Sequence, residues 1–342
     1  MTSWTKWLWA PLHAFGVATQ AKSFRDNVVI GSPWLNRHGL HVWRRRAAAR
    51  MGQRRRAALA GLVSAEDAAA FARDGYLIKP DFLAPEVFAA LQAEVSALEV
   101  PAREFVDGYT FTRLIPLDSV SLPAMQATRA VVASAAYQNL HAYVGSFRRF
   151  PRLSIQTIFS RFREDVPDVQ SHYHSDTFHP TVKSWLYLTE VDAAAAAFTY
   201  VPGSHVANRR RMAWERRVSL TAREGSDRLT AEGSMRISEA ELHRLGYPAP
   251  RKLAVAPNTL VIADTSGFHR RGISQSQACR ISIWAYSRSN PFLPFVGSVL
   301  PDVPALRGRL SRAVWAVLEA ARRGKPARGW HWAGVRRADT PP

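Results

Sequence analysis

Between residues 153 and 286 the chain is a succession of short runs rich in aromatic and β-branched residues, several of them closed by a turn. Leu153 to Phe162, Trp185-Leu186-Tyr187-Leu188, Phe198-Thr199-Tyr200-Val201, Thr259 to Ala263 and Arg280 to Tyr286 have strand composition. Pro202-Gly203-Ser204-His205 and Pro257-Asn258 are turn signals beside them. Short strands in this arrangement exclude regular βαβ alternation and predict an antiparallel barrel or sandwich.

Helices lead the chain and close it, so the expected class is α+β with a β core. Ser64 is an N-cap with an acid three residues on, starting a helix that Asp74-Gly75 ends. A short strand follows at Tyr76-Leu77-Ile78. A second helix is expected from Pro85 to Leu98, with Val87, Leu91, Val95 and Leu98 on one stripe. A strand over Tyr109 to Ile115 and a helix from Pro123 to Tyr143 come next, and residues 206–250 form a long charged excursion. Leu310 to Ala321 reads as the closing helix.

The 342 residues carry a net charge of +19, which calls for an anionic partner: nucleic acid, an anionic membrane surface or an acidic substrate. Trp4, Trp7, Trp9, Phe15, Trp34 and Trp43 precede a run of arginines at 44–46, 50 and 54–56. The tail holds Arg322, Arg323, Lys325, Arg328, Trp330, Trp332, Arg336 and Arg337. Tryptophan beside arginine suits an interfacial segment on anionic lipid; a solvated basic arm is the plainer alternative. No nucleic-acid recognition motif is present, and that class of partner is not expected. Cys279 is the only cysteine, which excludes an internal disulfide and fits a reducing compartment. Neither a standard signal peptide nor an apolar run long enough to span a bilayer is found, so the expected location is cytoplasmic, with peripheral attachment to the inner face of a membrane as an option. These shifts divide the chain into a basic extension (1–60), a central domain (61–300) and a helix with a basic tail (301–342).

The chemistry concentrates in His172-Tyr173-His174-Ser175-Asp176-Thr177-Phe178-His179. On extended backbone, positions i and i+2 share a face, so His174 and Asp176 can aim a nitrogen and an oxygen at one point. A 2-His-1-carboxylate iron(II) centre needs one further histidine. His269, where the run Ile262-Ala263-Asp264 gives way to a loop, is the candidate. Eleven positions later Arg280 opens a strand on which Arg280 and Ser282 share a face, a fork for a carboxylate. A metal triad with such an arginine is what binding a 2-oxo dicarboxylic acid requires.

These residues, with Phe71-Ala72-Arg73-Asp74-Gly75-Tyr76-Leu77-Ile78, the helix from Pro85, Trp185, Val201-Pro202-Gly203-Ser204-His205 and Leu260-Val261-Ile262-Ala263-Asp264, carry a resemblance. Over residues 65–290 the chain resembles the phytanoyl-CoA dioxygenase family of iron(II)/2-oxoglutarate-dependent oxygenases. The resemblance implies a double-stranded β-helix (jelly-roll) core flanked by helices, with iron held by His174, Asp176 and His269. It further implies 2-oxoglutarate as cosubstrate, its distal carboxylate on Arg280 and Trp185 lining its pocket. The implied activity is hydroxylation of an unactivated C–H bond with release of succinate and CO2, on a small-molecule or lipid-linked, anionic substrate. Two departures stand out: the alanine run Ala193–Ala197 replaces the usual Asn-Gly before the Pro-Gly-Ser-His turn, and Arg271 stands where a small hydroxyl residue often assists the cosubstrate. Asp176 argues against a halogenase, whose members lack a ligand there.

Each residue also has a plainer reading. His172 shares the face of His174 and is an alternative ligand; with His174 and His269 it would make a zinc site. His179 and His205 read as structural, Arg113 either as a contact to 2-oxoglutarate or as a surface charge, and the arginines of 209–217 as a solvated face. The competing function of a different class is a non-catalytic β-barrel module held at a membrane or nucleic acid by its basic ends.

Overall fold

The computed structural model describes residues 10–162, 168–192, 194–225, 227–297, 304–320 and 329–342. Trp4, Trp7, Trp9, Ala193, Arg322, Arg323, Lys325 and Arg328 lie outside the described residues.

The strands are β1 (Tyr76–Lys79), β2 (Val100–Asp107), β3 (Thr110–Leu117), β4 (Arg152–Ser160), β5 (Val182–Tyr187), β6 (Phe198–Tyr200), β7 (Arg251–Lys252), β8 (Thr259–Asp264), β9 (His269–Arg271), β10 (Ala278–Ser287) and β11 (His331–Arg336). One antiparallel sheet has the order β1-β8-β5-β10-β4-β3-β2-β11, and a second the order β7-β6-β9. His174 extends the second sheet through a lone antiparallel bridge to His269. From β4 onward the chain passes back and forth between the sheets, with β4, β5, β8 and β10 in the large one and His174, β6, β7 and β9 in the small one. That crossing path is the double-stranded β-helix.

Strand composition follows burial. β8 is buried along its whole length: Leu260 and Ile262 join the core under the helices, whereas Val261 and Ala263 point between the sheets. Trp185, Tyr187, Phe198 and Tyr200 fill the space between the sheets with them. The outer face of the large sheet is covered by helices Pro85–Ala97, Gln126–Ala133 and Ala135–Val144, which bring Leu91, Val95, Val131 and Leu140 to Leu186 and Ile283.

The helix over Ala65–Asp74 begins at Ser64, whose hydroxyl accepts from Asp67 N, and ends on Gly75 at φ 86°. The single helix expected over 123–143 is two helices, because Ser134 is extended and its side chain caps the second by accepting from Tyr137 N. β2 and β11 have no clear sequence signal: Pro101, Arg103 and Glu104 break the apolar alternation of β2. The charged excursion folds into helices Arg209–Thr221, Arg228–Ala231 and Glu239–Arg244, each N-capped by Asn208, Asp227 or Ser238.

The amino-terminal arginines divide by helical position. Within helix Leu40–Ala58, Arg44, Arg45 and Arg55 are buried and donate to main-chain carbonyls: Arg44 to Ala21, Arg45 to Phe178 and His205, Arg55 to Ser146 and Leu293. Arg46, Arg50, Arg54, Trp34 and Trp43 are exposed. The same split corrects the reading of 209–217 as a solvated face: Arg211 is fully buried, whereas Arg209, Arg210, Arg216 and Arg217 are exposed. Among the described residues, no helix is long and apolar enough to cross a membrane.

Candidate metal centre

His174 and His269 exchange both main-chain hydrogen bonds, N–H to O at 2.9 Å each way. Directly paired residues of an antiparallel bridge project to the same side, so the imidazole centroids lie 4.4 Å apart. Asp176 follows two residues later, its N–H donating to Thr265 O at 2.9 Å. That bond ties the His-x-Asp segment to the loop that leads into His269. The segment is thus not a full strand: isolated bridges from His174 to His269 and to Arg236 hold it, with hydrogen bonds from Ser175 N to Met235 O and from Asp176 N to Thr265 O.

Asp176 Oδ1 stands 3.9 Å from His174 Nε2 and 3.7 Å from His269 Nε2. All three donor atoms lie within 4.8 Å of one another. A cation with bonds of about 2.1 Å to nitrogen and oxygen spans donors up to about 4.2 Å apart, so each carboxylate–imidazole pair can share one ion. The tautomers agree: His174 Nδ1 lies 2.8 Å from His172 O and His269 Nδ1 3.0 Å from Gly267 O. With the proton on Nδ1, each Nε2 lone pair faces Asp176. Burial, then the neighbouring His269 and Arg236, lower the pKa of His174; burial also lowers that of His269 against the pull of Asp176. Both rings are therefore in the neutral, ligating form. Burial opposes ionisation of Asp176, but the neighbouring positive charge, that of Lys183 foremost, outweighs it and holds the carboxyl well below the usual range.

Two lysines complete the surroundings. Lys183 Nζ is 2.7 Å from Asp176 Oδ2, and Lys22 Nζ donates to Asp176 O at 2.7 Å. Neither was singled out from the sequence. Lys183 had a signal, since it shares a strand face with Trp185 two residues on; Lys22 had none, because only the folded chain brings it there.

A cavity of about 240 Å³ opens beside the triad, lined by His174, His269, Lys183, Trp185, Arg280 and Gln156 among others. Trp185 Nε1 donates to Gln156 Oε1 at 3.0 Å, fixing the indole on the cavity wall. Burial pushes the Arg280 guanidinium down to about 10, which leaves it charged at neutral pH, and it donates to Ala196 O. The alanine run therefore anchors the arginine by a carbonyl. Ser282 is buried two residues along, opposite Gln156 and Tyr187, and does not line the cavity. Arg271 lines the cavity and pairs with the buried Asp168 at 2.7 Å.

The alternative readings of His172 and Arg113 are corrected, whereas His179 and His205 are structural as expected. His172 is exposed and contributes its carbonyl; the one group of metal-capable side chains among the described residues is His174, Asp176 and His269, without His172. Arg113 neither reaches the cosubstrate pocket nor lies on the surface. β3 turns it to the outer face, where it pairs with Glu104 at 2.7 Å and donates to Arg337 O. His179 is buried, Nδ1 3.0 Å from Pro180 O, and His205 packs on Phe71.

The loop that presents His269 is held by its own buried partners. Asp264 accepts from Thr181 N and Ser266 N and pairs with Arg56 at 2.8 Å. Tyr200 Oη donates to Asp264 O at 2.8 Å, and a Cβ on Gly267 would overlap that hydroxyl.

Comparison with known proteins matches the phytanoyl-CoA dioxygenase (PhyH) family model to residues 71–241, half of the chain. Similar solved structures include the non-heme alpha ketoglutarate dependent epimerase SnoN from nogalamycin biosynthesis, at 19% identity and TM-score 0.42, covering 68% of this chain and 84% of that one. HygX from Streptomyces hygroscopicus, with nickel, 2-oxoglutarate and hygromycin B bound, matches at 17% identity and TM-score 0.40 over 66% and 88% of the two chains. EctD from S. alaskensis with bound Fe matches at 18% identity and TM-score 0.40 over 72% and 85%. No curated protein matches the sequence. By its match over residues 71–241, the chain belongs to the phytanoyl-CoA dioxygenase family, the iron(II)- and 2-oxoglutarate-dependent oxygenases with a double-stranded β-helix core.

Proposed function

We propose that this enzyme hydroxylates an unactivated C–H bond of a small, anionic substrate, with His174, Asp176 and His269 as the iron ligands. The observation that carries the proposal is the convergence of two Nε2 lone pairs and a carboxylate oxygen, each Nδ1 proton engaged by a main-chain carbonyl. Iron(II) with 2-oxoglutarate supplies, when bound, oxidation by molecular oxygen coupled to release of succinate and CO2.

The chain's residues orient and shield. Arg280 offers a permanent charge and a planar fork to the distal carboxylate of 2-oxoglutarate, with Ser282 behind it on the same strand face. Trp185, fixed by Gln156, forms a wall of that pocket. Lys183 keeps Asp176 ionised and holds the carboxylate oxygen that faces away from the two histidines. The oxygenase domain is taken as residues 61–300, against which residues 10–60 and 329–342 pack. The anionic character of the substrate rests on the +19 net charge, and peripheral attachment to an anionic membrane is supported by the exposed Trp34, Trp43, Arg46 and Arg50.

Anaerobic addition of iron(II) and 2-oxoglutarate should produce the visible charge-transfer band of the chelate, and oxygen should then convert 2-oxoglutarate to succinate. His174→Ala should lose both. A protein that binds iron(II) no better than His174→Ala, and consumes no 2-oxoglutarate, would sink the proposal.

A further inference from the structure

A second, larger chamber of about 590 Å³ lies on the same inner face of the large sheet, beside the metal cavity. We infer that it seats the substrate, and that it takes an amphipathic organic acid whose anionic group is held by Arg129 and Arg152.

Position comes first. Trp284 and Trp330 line both spaces, so the two are neighbours across a wall of tryptophan. Tyr286, on the chamber side, is paired in register with Lys183, which touches Asp176. Directly opposite residues have Cα atoms roughly 5 Å apart, so the chamber begins one strand away from a proposed iron ligand. Arg280 lies four residues from Trp284 on β10, roughly 13 Å along the strand. The cosubstrate's carboxylate and the chamber therefore sit at opposite ends of the metal cavity, which is the order a cosubstrate and a substrate need.

Size and lining come second. The metal cavity suits a small dicarboxylic acid, whereas the chamber falls in the range of roughly 300–1,000 Å³ that encloses drug-sized molecules. Its walls are Leu114 and Pro116 from β3 and the stacked pair Trp284 and Tyr286, with ring centroids 6.0 Å apart. Trp315, from helix Pro304–Ala320, faces them. Such walls select an apolar body, fused-ring or long-chain.

Charge comes third. Four arginines border the chamber, and two are already committed. Arg312 grips Asp118 with bonds of 2.7 and 2.9 Å, and Arg103 pairs with Glu319 at 2.8 Å while lying over Trp315. Arg129 and Arg152 are exposed, and among the described residues neither has an acidic or hydrogen-bonded partner for its guanidinium. A carboxylate, sulfonate or phosphate completes them. What happens to the seated acid rests on the oxygenase reading; its binding does not.

The test titrates the full chain with 11-(dansylamino)undecanoic acid and with the neutral amide of the same molecule, following dansyl fluorescence. The acid should bind at one saturable site, ~10-fold tighter than the amide, and Arg129→Gln/Arg152→Gln should bring the acid to the amide's affinity. Leu114→Trp, which fills the chamber, should weaken both ligands. Equal affinity for acid and amide in the parent, or an acid preference that survives in the arginine variant, overturns the inference. If Leu114→Trp does not fold, the exposed arginine pair decides alone. His174→Ala should keep the parent's acid preference. Acid binding of this kind in a chain that consumes no 2-oxoglutarate would overturn the oxygenase reading and leave this one standing.

Discussion

Replacing Glu215 with alanine should loosen the metal centre from a distance. Glu215 is buried, with Oε1 2.7 Å from Arg211 Nε and 3.7 Å from Arg45 Nε, and Oε2 2.7 Å from His41 Nε2. The two guanidiniums it pairs with pin the loops that carry the site. Arg45 donates to Phe178 O and His205 O; Arg211 donates to Ser204 O and Ser266 O. Phe178 is two residues past Asp176 and Ser266 three before His269. Removing one partner of a buried ion pair costs roughly 3–5 kcal/mol, because the remaining charge is stranded. The four carbonyls share that charge, which places Glu215→Ala near the lower end, ~3 kcal/mol. Slack in both loops should weaken metal binding by ~10-fold or more, as when support behind a ligand is lost. The pH dependence has a definite sign. Burial opposes ionisation of Glu215, but Arg211 and Arg45, then His41, hold its carboxyl well below the usual range. A depressed acid contributes stability above its unfolded pKa of about 4.3 and loses it as pH falls toward the folded value. The gap between parent and variant should be full at pH 7 and narrow below pH ~4. Urea unfolding across pH, with calorimetric titration of nickel(II), measures both effects. A variant within ~1 kcal/mol of the parent at pH 7 would refute the reasoning.

Three further substitutions probe other parts of the site. Arg280→Lys keeps the charge and loses the fork, so the KM for 2-oxoglutarate should rise ~10-fold or more with a smaller change in kcat, read by succinate release. Gly267→Ala forces Tyr200 off Asp264 O, and ~1–3 kcal/mol of stability should go with weaker nickel(II) binding; unchanged binding would show that this contact does not place His269. Burial, then the neighbouring Asp168, raise the Asp107 carboxyl to about 6. An acid raised in the folded state penalises folding once pH exceeds its unfolded value and carries the full penalty above the folded one. Asp107→Asn should therefore be more stable than the parent at pH 8, by an excess that fades below pH ~4 in thermal melts.

The helix boundaries at Ser64 and Gly75 were legible because caps are local chemistry, decided within one turn of chain. The pairing of His174 with Asp176 was legible for a related reason, since extended backbone sends alternate residues to one face. β2 was not, because a strand interrupted by Pro101 and charges carries no alternation to read; it gains its pairing from β3 and β11. Arg44, Arg45 and Arg55 look like surface charge in a basic run, and their burial depends on carbonyls contributed by residues far along the chain.

The sequence by itself determined the donor set, two imidazoles and a carboxylate with an arginine eleven positions past the second histidine, since ligand chemistry is spelled in residue type and short spacing. Tertiary structure decided what surrounds that set: the lysine on Asp176, the carbonyls that fix both tautomers, the buried arginines behind the loops and the chamber walled by three tryptophans. Those partners come from separate strands and from opposite ends of the chain, and only sheet register and packing bring them within a few ångströms of one another.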